Sequence, residues 1–182
     1  MATSAEDSLF PASLIPTSAA SELPPSFTIR PLRRSDYARG YLDCLRVLTW
    51  VGDLTEDEFS ERFDEMAAAK GVYYLLVIEH EGRIVGNGSL IVEKKFIHNR
   101  GQIGHIEEIA ISEDYQGRGL GRHLLAALDV LARDGLGCYK NILDCGPRSQ
   151  AFYTKCGYVA AGTEMVQYFD KLGETKGDYY RG

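Results

Sequence analysis

Hydrophobic residues recur along the middle of the chain at the spacing of β-strands. The segments YYLLVIEH, GRIVGNGSLIVEKKFI and GHIEEIAIS are rich in β-branched and aromatic residues and are separated by short turns that contain glycine. This pattern predicts an antiparallel meander of three strands. A shorter strand, FTIRPL, precedes the meander, and two further strands, CYKNILDC and YVAAGTEMVQYF, follow it.

Other stretches repeat their apolar residues with the period of a helix. Two of them lie between the first strand and the meander; Ser35 is the candidate cap of the first, and Thr55 with Glu58 has capping-box spacing at the start of the second. A third helix is predicted after the meander, over 120–132, and a fourth in SQAFYTKC. The order β-αα-βββ-α-β-α-β predicts one mixed α/β (α+β) layered domain.

The two ends of the chain differ in composition from this middle region. Residues 1–26 are rich in Ser, Ala and Pro and predict a flexible leader, residues 27–170 the domain, and residues 171–182 a C-terminal tail. The first 29 residues contain no Lys or Arg, which disfavours a signal or transit peptide. No apolar run approaches the roughly 20 residues that span a bilayer. The expectation is a cytoplasmic protein.

Charge and cysteine usage narrow the classes of function. A net charge of −6 and a pI near 5.3 disfavour a general nucleic-acid or membrane-surface binder. The four cysteines form no CxxC pair, and no metal site is predicted. We expect reduced thiols, and any anionic ligand must be held by local positive charge.

The stretch QGRGLG, residues 116–121, follows a predicted strand and opens a predicted helix. Bare backbone at Gly117, Gly119 and Gly121 lets N–H groups at a helix start converge on an anion, and Arg118 and Arg122 supply positive charge. A structural turn is the alternative. The dinucleotide fingerprint GxGxxG is not met, and no GK[ST] marks a P-loop.

Polar residues in the strands suggest a second site. Strict alternation places Glu107 and Glu108 on opposite faces of an apolar strand, so that at least one points toward the core side or a cleft. The segment 94–100 holds two lysines, a histidine and an arginine, which fits either a solvated hairpin or an anion site. Spacing alone leaves Tyr153 open as either a packing residue or a proton donor, and an Asp at a strand end, such as Asp144, is more often a turn former.

Several separated motifs together resemble one family. QGRGLG matches the Q/R-x-x-G-x-G/A loop of the GNAT acetyltransferase superfamily, and AFYTKCGY resembles its FY-x-x-x-G-F/Y signature. Within that superfamily, LTWVGDLT, VEKKFIHNRGQIGHIEEIAI and GCYKNILDC are most similar to the eukaryotic glucosamine 6-phosphate N-acetyltransferases. The resemblance spans about residues 27–169 and implies the GNAT fold, with a central, mostly antiparallel, twisted sheet flanked by helices.

The resemblance also implies a co-substrate, acetyl-CoA, and the residues that hold it. Strand backbone would pair with the pantetheine arm and polarise the thioester carbonyl, the glycine loop would hold the pyrophosphate, and a tyrosine would protonate the departing thiolate. The implied acetyl-CoA residues are Ile109, Ala110, Ile111, Gly117, Arg118, Gly119, Leu120, Gly121, Arg122 and Tyr153.

By the same resemblance, the acceptor is the 2-amine of glucosamine 6-phosphate, in UDP-N-acetylglucosamine synthesis. The implied sugar-binding residues are Thr49, Lys95, Phe96, Ile97, His98, Glu107, Glu108, Ile109, Lys140 and Asp144. Tyr153, Asp144 and Glu107 are the implied catalytic residues, with water or a carboxylate such as Glu107 as the base. Family members are usually dimers that share the last strand, so a homodimer is expected.

Departures from the family pattern keep other functions open. Trp50 replaces a residue that is often small, Glu108 a usual Asp, and Ser149 a frequent Asn. One alternative is acetylation of another amine, either a small molecule or a protein lysine, although the cationic KKFIH segment favours an anionic acceptor. The other is a non-catalytic module that binds acetyl-CoA.

Overall fold

The centre of the structure, a computed structural model that describes residues 7–20 and 23–169, is a five-stranded sheet. Its strands are β1 (Phe27–Pro31), β2 (Tyr73–His80), β3 (Arg83–Lys94), β4 (Gln102–Ile111) and β5 (Lys140–Ile142). They lie side by side in chain order. The first four pair antiparallel, and β5 pairs parallel with β4. The predicted three-strand meander is confirmed as β2, β3 and β4.

Helices connect and cover these strands. The α-helices are α1 (Tyr41–Arg46), α2 (Glu56–Ala68), α3 (Ile97–Arg100), α4 (Leu120–Val130) and α5 (Pro147–Lys155). Short 3-10 helices span Ala12–Leu14, Thr17–Ala20, Arg34–Arg39 and Glu113–Tyr115, and a π-helical turn, Leu131–Gly135, continues α4. The helix α3 is a single turn in which His98 and Asn99 have left-handed backbone angles. The predicted mixed α/β architecture, a sheet flanked by helices, is confirmed.

One of the two predicted helix caps is present. Thr55 and Glu58 form the capping box at the start of α2: the Glu58 N–H donates to Thr55 Oγ1, and the Thr55 N–H donates to Glu58 Oε2 at 2.7 Å. Ser35 was wrongly predicted as a cap. It lies inside the 3-10 helix that begins after Arg33, and its hydroxyl donates to Asp7 instead.

The sheet is packed on both faces. Leu76 and Gly88 are opposite each other on β2 and β3, and a Cβ atom at Gly88 would touch Leu124 and Leu128 of α4. Cross-strand partners share a face, so this is the α4 face of the sheet. Their sequence neighbours point the other way, toward α1 and α2. Four leucines and one alanine of α4 are buried, on the face that its helical pattern predicts: Leu120, Leu124, Leu125, Ala127 and Leu128.

Part of the predicted leader belongs to the folded unit. Leu9, Phe10 and Ala19 are buried in the core, and the Leu9 N–H donates to the Leu32 carbonyl at 2.9 Å. The ring of Phe10 also packs edge-on against Tyr74, with centroids 5.1 Å apart. The mobile leader predicted over 1–26 is therefore corrected for residues 7–20, because apolar residues without a regular period pack there.

The last predicted strand, residues 158–169, is not formed, which corrects the predicted element order. The segment has no regular structure, and Met165 and Phe169 are 93% and 92% exposed. A strand needs a neighbour with free backbone groups, and β5 is only three residues long, so it offers little edge to pair with. β5 is also shorter than the predicted strand CYKNILDC. The predicted tail, 171–182, lies outside the described residues.

A buried ion pair ties β1 to the turn that follows it and generates a testable prediction. Arg30 donates to both carboxylate oxygens of Asp36 at 2.7 Å, and both side chains are buried. Removing one partner of a buried pair typically costs about 3–5 kcal/mol. We expect Asp36→Asn to lower the free energy of unfolding in urea by about this amount.

The matched control is Asp64→Asn, which removes the acidic partner of Arg34 in an exposed ion pair. Exposed pairs contribute little to stability, so little change is expected. An Asp36→Asn loss no larger than the Asp64→Asn loss would contradict the structural role given to the buried pair.

Candidate active site

The strands β4 and β5 separate halfway along β4. Their pairing covers only Ile103 with Lys140, Gly104 with Asn141 and His105 with Ile142. Among the described strands, none pairs with residues 106–111 on that side of β4, which leaves an open edge of backbone groups. The predicted acetyl-CoA residues Ile109, Ala110 and Ile111 all lie on this open edge.

A β-bulge bends β4 where the open edge begins. The register with β3 shifts between Asn87 and Ser89, so that Glu108 and Ile109 together face Gly88. Glu108 has a φ of 55°, which costs a non-glycine residue about 1–3 kcal/mol. A Cβ atom at Gly88 would lie 2.7 Å from Ile109 Cδ1, so only glycine allows this close approach. Irregular backbone of this kind marks functional sites.

The bulge changes the expected placement of the two glutamates. The alternation that was to put them on opposite faces is interrupted at Glu108. Glu107 is half-buried, while Glu108 is exposed and lines a cavity of about 490 Å³ under α1 and α2. In this cavity Glu108 lies near Tyr41, whose phenol pKa is raised by burial and then by the charge of Glu108.

The structure brings Glu107 and Asp144 within electrostatic reach of each other. Burial raises the pKa of Glu107, and the nearby carboxylates of Asp144, Glu108 and Glu164 raise it further, while His105 lowers it. Asp144 follows β5, and Glu107 lies just beyond the last β4 residue that pairs with β5. The two predicted catalytic carboxylates therefore lie on the two sides of the gap between the strands. A raised pKa suits a carboxylate that takes up protons.

The glycine stretch forms the start of α4, as predicted. Gly117 and Gly119 have φ values of 74° and 78°. Gly119 is the residue before the helix and has no side chain that could cap it. The first amides of a helix lack partners within it, so those of Leu120 and Gly121 are available to an anion. The loop follows β4 through the turn Glu113–Tyr115, which puts it beyond the open edge.

The two arginines of this loop differ in their surroundings. Arg118 donates to the Asp114 carbonyl at 2.9 Å, and its guanidinium lies 5.0 Å from the centre of the Tyr115 ring. Arg122 is exposed, and the ion pairs found between described residues do not include it. Arg118 thus stabilises the loop in this structure, and Arg122 presents its charge to solvent.

Tyr153 is carried to the same region by α5. A Cβ atom at Gly121 would lie 3.6 Å from Phe152, so α5 packs against the start of α4. The Tyr153 ring is half-buried between those of Phe152 and Tyr158, with centroids 5.1 and 6.1 Å away. The hydroxyl of Tyr158 in turn donates to Asp129 of α4 at 2.5 Å. Packing therefore fixes Tyr153 beside the glycine loop.

The cationic segment lies at the other end of β4. Lys95 pairs with Glu93, whose second oxygen lies 2.9 Å from His105 Nε2 on β4. The ring of His98 packs at a tilt against Tyr139, with centroids 4.5 Å apart, and Lys140 Nζ lies 5.9 Å from the Tyr139 centroid. A second, more polar cavity of about 660 Å³ is lined by Lys94, Lys95, Phe96, Asn99, Arg100 and Gln102.

Three further residues are predicted to contact the sugar: Thr49, Phe96 and Ile97. Phe96 is fully exposed, and Ile97 is exposed beside it. Thr49 lies past the end of α1, where its N–H donates to the Leu45 carbonyl at 3.3 Å. No hydrogen bond between described residues joins Thr49 to Glu107 or Lys95. The roles of these three residues in sugar binding stay predictions.

The sequence reasoning missed two residues that contact the bulge. Asn87 and Ser89 are buried in β3, and both donate hydrogen bonds to Glu108. A signal was available, since GNGSL interrupts an apolar strand with two polar residues. The sequence alone could not show that these residues face a bulge on the neighbouring strand.

The four cysteines are free in the structure. Cys44 and Cys138 are buried, and burial raises the pKa of both thiols. Among residues 7–20 and 23–169, no three His, Cys, Asp or Glu side chains come together in a group that could hold a metal ion. No helix in the same described ranges is long and apolar enough to cross a membrane.

Comparison with known families identifies this arrangement. The family model described as the acetyltransferase (GNAT) family matches residues 36–158. The chain belongs to this GNAT family. Its members are acetyltransferases that use acetyl-CoA, so the resemblance seen in the sequence is confirmed.

Curated GNAT relatives match most of the chain. The glucosamine 6-phosphate N-acetyltransferase of Candida albicans is 42% identical over 145 residues, which cover 79% of this chain and 97% of the relative. The Arabidopsis thaliana protein of the same name is 38% identical over 147 residues, which cover 80% and 98% of the two chains. The match to the family model, residues 36–158, spans the open edge, the glycine loop and α5 alike.

Solved GNAT structures share the fold. The crystal structure of glucosamine-6-phosphate N-acetyltransferase from Arabidopsis thaliana superposes with a TM-score of 0.76 at 38% identity, over 79% of this chain and 99% of that one. An acetyltransferase from Trypanosoma brucei gives 0.72 at 33% identity, over 79% and 99% of the chains. The predicted GNAT fold is confirmed.

The two carboxylates beside the open edge generate a prediction about protonation. Asp144→Asn removes a negative charge that raises the pKa of Glu107 and should therefore lower that pKa. NMR titration of the Glu107 side-chain carboxyl carbon measures it directly. The exposed Asp53→Asn is the control, because Asp53 is not among the charges that act on Glu107.

The raised pKa of Glu107 should also make the free energy of unfolding depend on pH. Because its folded-state pKa is raised, Glu107 contributes stability that is present below its unfolded-state pKa and is lost as pH rises through the folded-state pKa. In Asp144→Asn this loss should be smaller. Equal Glu107 titration curves in the wild-type and Asp144→Asn proteins would contradict the proximity of the two groups.

Proposed function

We propose that this chain transfers the acetyl group of acetyl-CoA to the 2-amine of D-glucosamine 6-phosphate, giving N-acetyl-D-glucosamine 6-phosphate and CoA. The observation that carries the proposal is the similarity to relatives named for this reaction, at 38–42% identity over 79–80% of the chain. The site described above supports it, because each step of the reaction has a group of suitable chemistry nearby. The product would supply UDP-N-acetylglucosamine synthesis, in the cytoplasm.

The open edge of β4 and the glycine loop would together bind acetyl-CoA. The backbone of Ile109, Ala110 and Ile111 would pair with the pantetheine arm, as a neighbouring strand would. The amides at the start of α4 would hold the pyrophosphate, and Arg122 would add a charge-assisted contact that Arg118, stacked on Tyr115, is less free to make. The acidic chain thus concentrates positive potential at one loop.

Glucosamine 6-phosphate would lie on the other side of the acetyl group. Asp144 and Glu107 can bind the amine and hydroxyl groups of the sugar, and Glu108 lies next to them on the bulge. The phosphate needs cations, which the segment with Lys95 and His98 supplies. A carboxylate group and a cationic group at separate ends of β4 suit an acceptor that has an amine at one end and a phosphate at the other.

The chemistry would be a direct attack on the thioester. The sugar amine, having given a proton to water or to a carboxylate such as Glu107, attacks the carbonyl carbon as its oxygen gains negative charge. Backbone N–H groups of the open edge stabilise that oxygen, an effect worth about 3–4 kcal/mol per donor in comparable sites. The bond from carbon to sulfur then breaks, and the phenol of Tyr153 donates a proton to the thiolate. The proton that the nitrogen loses on becoming the amide returns through water to the Tyr153 oxygen and restores the phenol. No acetyl-cysteine forms.

The chain would act as a homodimer through residues 158–169. This segment leaves Val159, Met165 and Phe169 exposed, and a single copy buries none of them. Glu164, in the middle of the segment, raises the pKa of Glu107, so the segment runs near the carboxylates. A second copy that pairs with this segment would cover its apolar side chains and form part of the sugar site.

Thiol release from acetyl-CoA tests the proposed reaction. We expect turnover with glucosamine 6-phosphate, a rate at least tenfold lower with glucosamine because the phosphate contact is lost, and none with a lysine peptide. Equal rates with the two sugars would contradict the proposed acceptor. Tight acetyl-CoA binding by calorimetry without turnover on any amine would show a binding module instead.

In the same assay Tyr153→Phe tests the proton donor. Loss of a general acid lowers kcat by about 10²-fold or more, and the affinity for acetyl-CoA should change little because only the hydroxyl is removed. Tyr73→Phe, at the start of β2, is the control for loss of a phenol. An unchanged kcat in Tyr153→Phe would exclude this role.

Light scattering of the purified protein tests the dimer. We expect twice the mass of the chain, and a shift toward the monomer in Met165→Lys, which places a charge in the apolar contact. Lys155→Glu, an exposed charge change on α5, should leave the mass unchanged. A wild-type protein of monomeric mass would contradict the proposed assembly.

A further inference from the structure

Two buried polar residues of β3 hold the bulge of β4 in place. Asn87 Nδ2 donates to the Glu108 carbonyl oxygen at 2.8 Å, and Ser89 Oγ donates to Glu108 Oε2 at 2.9 Å. The side chains flank Gly88, the residue that the bulge approaches most closely. Glu108, which has a positive φ, is thus held both at its main chain and at its side chain.

Hydrogen bonding inside the sheet does not account for these residues. Asn87 is 1% exposed and Ser89 4%, in a strand whose other side chains here are apolar or absent. The Oδ1 atom of Asn87 is buried and has no hydrogen-bond partner in the described structure. A buried polar group that leaves one atom unsatisfied adds little to stability, and an apolar side chain would serve packing as well. The contacts to Glu108 are what the polar groups supply.

The contacts to Glu108 affect the part of β4 that would face the thioester. Glu108 comes directly before 109–111, the open edge whose backbone would face the thioester. A change in the backbone angles of Glu108 rotates every N–H group that follows it on this edge. Because oxyanion stabilisation depends on donor direction, a small rotation there lowers the rate without unfolding the sheet.

We propose that Asn87 and Ser89 are positioning residues for acetyl transfer, which act through Glu108 to fix the direction of the open edge of β4. This role rests on the proposed function, since it concerns the same site. Asn87 fixes the main chain of the bulge, and Ser89 fixes the carboxylate of Glu108 against the cavity under α1. In this role both residues act through Glu108 and not by contact with the acetyl group.

The closing experiment compares Ser89→Thr with Ser89→Val. The two side chains have nearly the same shape and volume and differ in the hydroxyl, so any packing strain is common to both. We expect Ser89→Val to have a kcat about tenfold lower than Ser89→Thr, with equal melting temperatures and little change in the KM for acetyl-CoA. Equal kcat values in the two variants would overturn the proposal for Ser89.

Asn87→Ala extends the test to the second residue. If both residues act through Glu108, the double variant Asn87→Ala with Ser89→Val should lose little more kcat than the larger single loss. Losses that multiply would show two independent effects and would contradict a shared route through Glu108.

Amide hydrogen exchange separates this proposal from the proposed function. In Ser89→Val the amides of 108–111 should exchange about tenfold faster than in Ser89→Thr, while those of β2 should not change. Wild-type protein without turnover on glucosamine 6-phosphate would refute the proposed function alone, and the exchange comparison would still decide whether Ser89 holds the bulge. Equal exchange in the two variants would overturn that hold.

Discussion

The site depends on one constraint, the separation of β4 from β5 after three paired residues. Continued pairing would use the backbone groups of 106–111 within the sheet, and none would remain for a ligand. The bulge at Glu108 turns β4 at this point, and Gly88 permits it by leaving room for Ile109. The packing of α4 and α5 then brings the glycine loop and Tyr153 to the same opening. The fold therefore brings the groups proposed for acetyl transfer together at this edge.

Charge is distributed along β4 in a way that matches the proposed acceptor. Carboxylates gather beside the open edge, where they raise the pKa of Glu107, and cations gather around α3 at the opposite end of the strand. An anionic chain would repel an anionic sugar if its charges were spread evenly. Because the carboxylates and the cations are separated, the amine and the phosphate of one acceptor can each meet a group of opposite charge. Arg122 likewise supplies a positive charge at the start of α4, where the phosphates of CoA would bind.

Local patterns predicted much of this structure, and contacts between distant segments explain what they missed. Hydrophobic periodicity was sufficient for the meander and α4, and capping chemistry for the start of α2, because these depend on neighbours in sequence. The strand predicted over 158–169 failed because a strand needs a partner edge, which sequence does not show. The bulge was missed for a related reason: Asn87, Ser89 and Glu108 meet only across strands. Motif resemblance identified Glu107 and Tyr153 as candidates, and packing explains their placement.

We propose that acetyl-CoA binds along the open edge of β4. Amide hydrogen exchange, measured residue by residue with and without bound CoA, tests it most directly. We expect slower exchange at Ile109 and Ile111, whose N–H groups alternate away from β3, and at the amides that begin α4. The paired part of β4 already has partners on both sides and should not change. Protection of the α4 amides alone, with exchange at Ile109 and Ile111 unchanged, would contradict this proposal.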